Sequence, residues 1–167
     1  MIRSLPLHKF SAMTVTLQKT ALPEREEKIT LPARRSSFGI LKERILAVAE
    51  DLQIQDRIRK QLLIACDEIF TNIASYAYPE EEKNGVVDVS FLYERSTRKL
   101  RISFSDSGRA FDPLAEPEKD VKESVAEKKV GGLGLFMVRK MMDSVEYKRE
   151  NGCNNLTLGK ILEGESL

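Results

Sequence analysis

Apolar residues recur along this chain with two different periods, and the switches between them mark out the elements. Phe38, Leu41, Ile45, Val48 and Leu52 fall at three- and four-residue steps, which makes one apolar stripe on a helix. Ser36 and Ser37 precede that stripe and suit an N-cap. Ile58, Leu62, Ala65, Ile69 and Ile73 repeat the pattern. Asp56 stands at the start of this second helix as its expected cap, and Pro79 requires it to stop beforehand. Leu63, Ile64 and Phe70 lie off the stripe, so the second helix is expected to be buried on more than one side. A third helical stretch runs from Leu135 to Met142.

Elsewhere the period is two. Val87, Val89, Phe91 and Tyr93 alternate with other residues, as do Leu100, Ile102 and Phe104, the mark of half-buried strands. The short connector from Glu94 to Lys99 favours an antiparallel hairpin. Met13, Val15 and Leu17 predict a further strand, and Lys28 to Leu31 a short one ended by Pro32, with the charged run from Pro23 to Lys28 read as a connector. Ser144–Glu150 and Leu156–Ile161 flank Asn151-Gly152 and predict a closing hairpin. Residues 1–11 have no clear period and are expected to be a loose extension, with 12–167 as a single domain. The order predicts an α+β fold, a two-layer sandwich with helices on one face of a largely antiparallel sheet.

Composition narrows the function. A chain of 167 residues with 41% hydrophobic and 32% charged residues builds one ordinary core and is no disordered chain. Lys and Arg number 27 against 26 for Asp and Glu, a formal net charge of +1. That balance lacks the basic excess that direct nucleic-acid binding or a polybasic membrane anchor requires. Cys66 and Cys153 are too few and too distant for a disulfide framework or a zinc site. His8 is the single histidine, so histidine-based triads and metal sites are not expected. With no membrane span or secretory signal in the pattern, a soluble cytoplasmic protein is expected.

Three local features carry candidate chemistry. Glu68 and Asn72 are spaced i, i+4, which stacks them on one side of the second helix at the edge of its buried stripe. A carboxylate and an amide there suit a metal ion and a water, or are ordinary boundary residues. Asp106 shares the parity of Leu100, Ile102 and Phe104, so its carboxylate is expected on the covered face. It needs a partner there: a ligand amino group, or the backbone of an Asx-turn ahead of Gly108. Gly131-Gly132-Leu133-Gly134 opens a helix and serves either as a phosphate cradle or as a hinge. It is neither a Walker A loop nor a dinucleotide fingerprint.

The order of these features resembles the GHKL, or Bergerat-fold, ATP-binding family. DEIFTNIASYAYP, DSGRAFDP and GGLGLFMVRKMMD look like its N, G1 and G2 boxes. The likeness runs from about Ser36 to the end and is greatest to the anti-sigma factor serine kinases. It implies Glu68 as the base or polarising group toward the attacking hydroxyl and Asn72 as the Mg²⁺ ligand. It implies Asp106 as acceptor from the adenine amino group and Gly108 as the allowance for close approach of the base. Gly131, Gly132 and Gly134 would lie against the phosphates, residues 113–130 over the nucleotide, and the Thr157 hydroxyl near adenine. Many members carry glycine where this chain has Ala110. Lys128, Lys129 and Arg139 are the basic candidates for the γ-phosphate, while Arg109 is expected to be solvated. The implied function is an ATP-dependent serine/threonine-protein kinase regulating transcription as an anti-sigma factor. Its implied partners are a STAS-type antagonist, a sigma factor and a second copy of itself. The alternative is a non-catalytic ATP- or ADP-binding module that switches a protein partner.

Overall fold

The computed structural model describes residues 25–79, 84–114 and 132–162. Three expectations therefore lie outside the described residues: the extension at 1–11, the strand at Met13–Leu17, and most of the segment over the nucleotide. The elements are β1 (Arg25–Pro32), a single 3-10 turn (Arg35–Ser37), α1 (Phe38–Asp51), α2 (Asp56–Tyr76), β2 (Val86–Glu94), β3 (Lys99–Asp106), α3 (Gly132–Met141), β4 (Ser144–Glu150) and β5 (Cys153–Ile161). The strands form one sheet in the order β1-β2-β3-β5-β4, and every neighbouring pair is antiparallel. The helices cover one face, so the α+β sandwich is as expected.

Strand parity decides which face each residue takes. Along β3, Leu100, Ile102, Phe104 and Asp106 are buried while the intervening residues are not. Leu100, Ile102 and Phe104 share the core with Leu41, Ile45, Ile58, Leu62, Ile69, Phe70 and Val138 from the helices. The other face is polar. There the Lys28 ammonium lies 2.8 Å from Asp88, and with the Thr30 hydroxyl it holds the Asp88 carboxyl below the usual range. Phe104 is 1% exposed in the middle of the core. Phe104→Ala is expected to cost about 3–5 kcal/mol through lost burial and the cavity left behind, read as a lower urea midpoint at unchanged slope.

Several local expectations need correction. Ser37 precedes α1 but makes no side-chain cap bond; the chain enters the helix through the 3-10 turn. Asp56 is the first residue of α2 rather than its cap, and its carboxylate pairs with Arg59 at 2.7 Å. The charged run at 25–28 is strand and not connector, because pairing with β2 continues to Arg25↔Tyr93 and overrides a sequence with no alternation. On α2, Phe70 is fully buried but Ile64 is 54% exposed, so one of the three off-stripe residues faces out. Burial pushes the Cys66 thiol up out of its ordinary range, so this cysteine packs as a small apolar side chain.

Candidate functional site

Asp106 closes the central strand of the sheet and is 5% exposed. Its Oδ1 accepts the Gly108 N–H at 2.9 Å, the Asx-turn foreseen as one of its two roles. The same oxygen accepts from Asn154 Nδ2 at 3.0 Å, across the Asp106↔Asn154 pair of the ladder. Among the described residues no hydrogen bond reaches Oδ2, and Asp106 lines a surface hollow. The turn and the cross-strand amide therefore both use one oxygen and leave the other without a hydrogen bond among the described residues.

The hollow lies between the C-terminal half of α2, the end of β3, the middle of β4 and the start of β5. Asn72, Ile69, Ile73, Tyr76, Asp106 and Leu156 form part of its wall. Its lining is mostly apolar with a few placed polar groups, the usual form of a small-molecule site. Phe111 and Arg109 stand at its edge, both exposed. The Arg109 backbone is fixed at both ends, donating to Ala77 O at 2.8 Å and accepting from Asn154 Nδ2 at 2.8 Å.

Glu68 and Asn72 act as one unit. Asn72 Nδ2 donates to Glu68 Oε1 at 2.8 Å, which leaves the Asn72 carbonyl oxygen, on a residue lining the hollow, for another partner. The Glu68 carboxylate lies against Gly134: a Cβ built there would fall on its carboxyl carbon and both oxygens. The second helix and the glycine turn thus converge, although their residues are far apart in sequence. Gly132 and Gly134 belong to the first turn of α3 instead of a loop ahead of it. Gly131, Lys128 and Lys129 lie outside the described residues.

Three expectations change in detail. The side chain that Gly108 lacks would strike the Ala77 carbonyl, so this glycine makes room for the end of α2. Arg139 donates to Leu114 O at 3.3 Å, tying α3 to the loop after β3. Thr157 is not at the hollow. It pairs with Ser103, and the two hydroxyls lie 2.9 Å apart on the face away from the helices. Leu156 and Leu158 are the buried members of that strand, so alternation turns Thr157 outward. The same alternation brings Asn154 inward, a residue that sequence reasoning missed and that parity with Leu156 and Leu158 identifies. Tyr147 and Tyr76 were missed as well; no local pattern sets them apart from core or surface aromatics.

The structure thus places a carboxylate and an amide together near the first turn of α3, and the amide lines the same hollow as a second carboxylate. The chain belongs to the histidine kinase-like ATPase domain family, whose model matches residues 31–160. It is 33% identical over 135 residues to serine-protein kinase RsbW of Halalkalibacterium halodurans, covering 78% of this chain and 79% of that one. It is 28% identical over 102 residues to serine/threonine-protein kinase BtrW of Bordetella bronchiseptica, covering 61% and 70%. Among solved structures, the RsbU and RsbW domains of a Mycobacterium tuberculosis protein share the fold at a TM-score of 0.60 and 16% identity. That match takes in 84% of this chain and 33% of the two-domain one. The SiaB–SiaC complex of Pseudomonas aeruginosa gives a TM-score of 0.53 at 16% identity, covering 81% and 89%.

Proposed function

We propose that this protein is an ATP-dependent serine/threonine-protein kinase acting as an anti-sigma regulatory factor in the cytoplasm. Its protein substrate is then a STAS-type anti-sigma factor antagonist. A sigma factor and a second copy of the chain are the other proposed partners. The observation that carries this reading is the meeting of Glu68 with Gly134, beside an Asn72 that lines the same hollow as Asp106. The kinase relatives give the reaction class.

ATP would lie with its adenine toward Asp106 and its phosphates toward α3. Asp106 Oδ2 is an acceptor suited to the exocyclic amino group, and the apolar wall suits the flat ring. Gly132 and Gly134 open α3, and a helix N-terminus favours phosphate oxygens. The residues fit a divalent ion as well. Among the described residues no group of three or more His, Cys, Asp or Glu could hold a metal, but Mg²⁺ takes few protein ligands beside phosphates and water. Asn72 Oδ1 is the ligand to hand. A bound Mg²⁺ supplies neutralisation of phosphate charge.

In the transfer, the antagonist's serine or threonine oxygen forms a bond to the γ-phosphorus. The bond from that phosphorus to the β–γ bridging oxygen breaks, and ADP leaves. Glu68 accepts the hydroxyl proton. Positioning accounts for most of such catalysis, and Asn72 holds the Glu68 carboxylate through one of its oxygens. The test is incubation of the protein with Mg-ATP and candidate antagonists, read by phosphorylated antagonist in a mass spectrum. Transfer is expected from the wild type, with Asp106→Ala weakening ATP binding by about a hundredfold or more, the scale of an unmet buried polar contact. Tight ATP binding without transfer to any antagonist would replace the kinase with the nucleotide-switched binding module.

A further inference from the structure

Asn154 makes more directional contacts around the hollow than its place on a hairpin strand requires. It is 6% exposed. Its amide nitrogen donates to Asp106 Oδ1 at 3.0 Å and to Arg109 O at 2.8 Å. Its oxygen accepts from Tyr147 OH at 2.8 Å, from Arg149 Nη1 at 2.7 Å and from Phe111 N at 3.4 Å. Arg149 Nη1 also donates to Gly108 O at 3.3 Å. Both amide hydrogens are thus used, and three donors on the oxygen settle which way the amide points. One side chain joins the end of β3, the turn at 107–111 and the edge strand β4.

We propose that Asn154 is the positioning residue of base recognition: held by Tyr147 and Arg149, it fixes one oxygen of Asp106 and so presents the other to a 6-aminopurine in preference to a 6-oxopurine. This rests on the nucleotide reading of the hollow. An aspartate's terminal torsion is broad and soft, so the Gly108 N–H alone leaves the carboxylate free to turn. The second donor, from the opposite strand, locks it. With Oδ1 occupied, the ligand meets Oδ2 as a pure acceptor. An exocyclic amino group donates to it, whereas a 6-oxo group sets two acceptors face to face. Groups that must pair when buried discriminate strongly for this reason.

The experiment compares ATP with inosine triphosphate, whose base carries the 6-oxo group, by calorimetric titration of the full chain. Wild type is expected to prefer ATP by about a hundredfold or more. Asn154→Leu keeps the approximate size and removes the donors to Asp106 and to Arg109 O without bringing a second carboxylate beside Asp106. Its preference is expected to fall at least about tenfold, the scale of one lost directional contact. Tyr147→Phe, which removes a single hydroxyl from the support, is expected to lower it by about threefold while the protein stays folded, as a weakened neutral bond would. Damage to the fold alone would weaken both nucleotides together and leave the ratio unchanged. An unchanged ratio in folded Asn154→Leu or, should that variant fail to fold, in Tyr147→Phe overturns the assignment while leaving the nucleotide site standing. Wild type binding the two nucleotides equally also overturns it, and wild type binding neither removes the nucleotide reading itself.

Discussion

Glu68→Gln is expected to bind ATP within about threefold of wild type and to transfer phosphate about 10²–10⁴ times more slowly, the range over which a positioned general base contributes. The replacement has the size of glutamate and retains an oxygen for the Asn72 amide, which now bonds Glu68 Oε1 at 2.8 Å. The Asn72 side chain therefore keeps its orientation and its own carbonyl oxygen stays available. What disappears is the acceptor for the hydroxyl proton. Calorimetry with ATP and a timed phosphorylation assay separate the two quantities. Transfer by Glu68→Gln at the wild-type rate would remove Glu68 from the chemistry, and loss of ATP binding in step with transfer would make its role one of binding.

Gly134→Ala produces a large effect by a different route. Its methyl group falls where the Glu68 carboxylate now lies. The atoms it meets are the far end of a flexible side chain, so the cheapest response is for Glu68 to swing away and give up its bond to Asn72. The fold is then expected to survive, with a change in stability of about 1 kcal/mol or less, the size of one exchanged hydrogen bond. Phosphate transfer is expected to fall about a hundredfold or more, because a misplaced catalytic group is costly even without unfolding. Gly39 is the internal control. It lies on α1, and a Cβ there meets nothing within 4 Å. Gly39→Ala is expected to leave transfer unchanged and to stabilise the protein by about 0.5–1 kcal/mol through the helix preference of alanine. Near-normal transfer by Gly134→Ala would show that the carboxylate need not occupy its present position.

Much of the site was legible because each part rests on local periodicity. The spacing of Glu68 and Asn72 placed them on one side of a helix at the margin of its stripe, where a 2.8 Å bond now joins them. The parity of Leu100, Ile102 and Phe104 placed Asp106 on the covered face. Thr157 shows the cost of setting that rule aside: likeness to a family suggested the residue, whereas alternation along Leu156 and Leu158 points to Asn154. The tie from Asn154 to Tyr147 and Arg149 crosses a hairpin whose Asn151 and Gly152 both take positive φ, at 52° and 81°. That turn was readable from Asn-Gly, but the convergence of the three side chains was not.

The sequence by itself determined the helices, the strands, the faces they bury and the order of the chemical groups, because these follow from the 3.6 and 2.0 residue periods of helix and strand. Only the tertiary structure decided what each group meets. It put Gly134 against Glu68, turned Gly108 toward Ala77 and gave Asp106 a second donor from the opposite strand. Such contacts join residues from different elements, and their geometry is set by how helices settle on a twisted sheet, which no local period encodes.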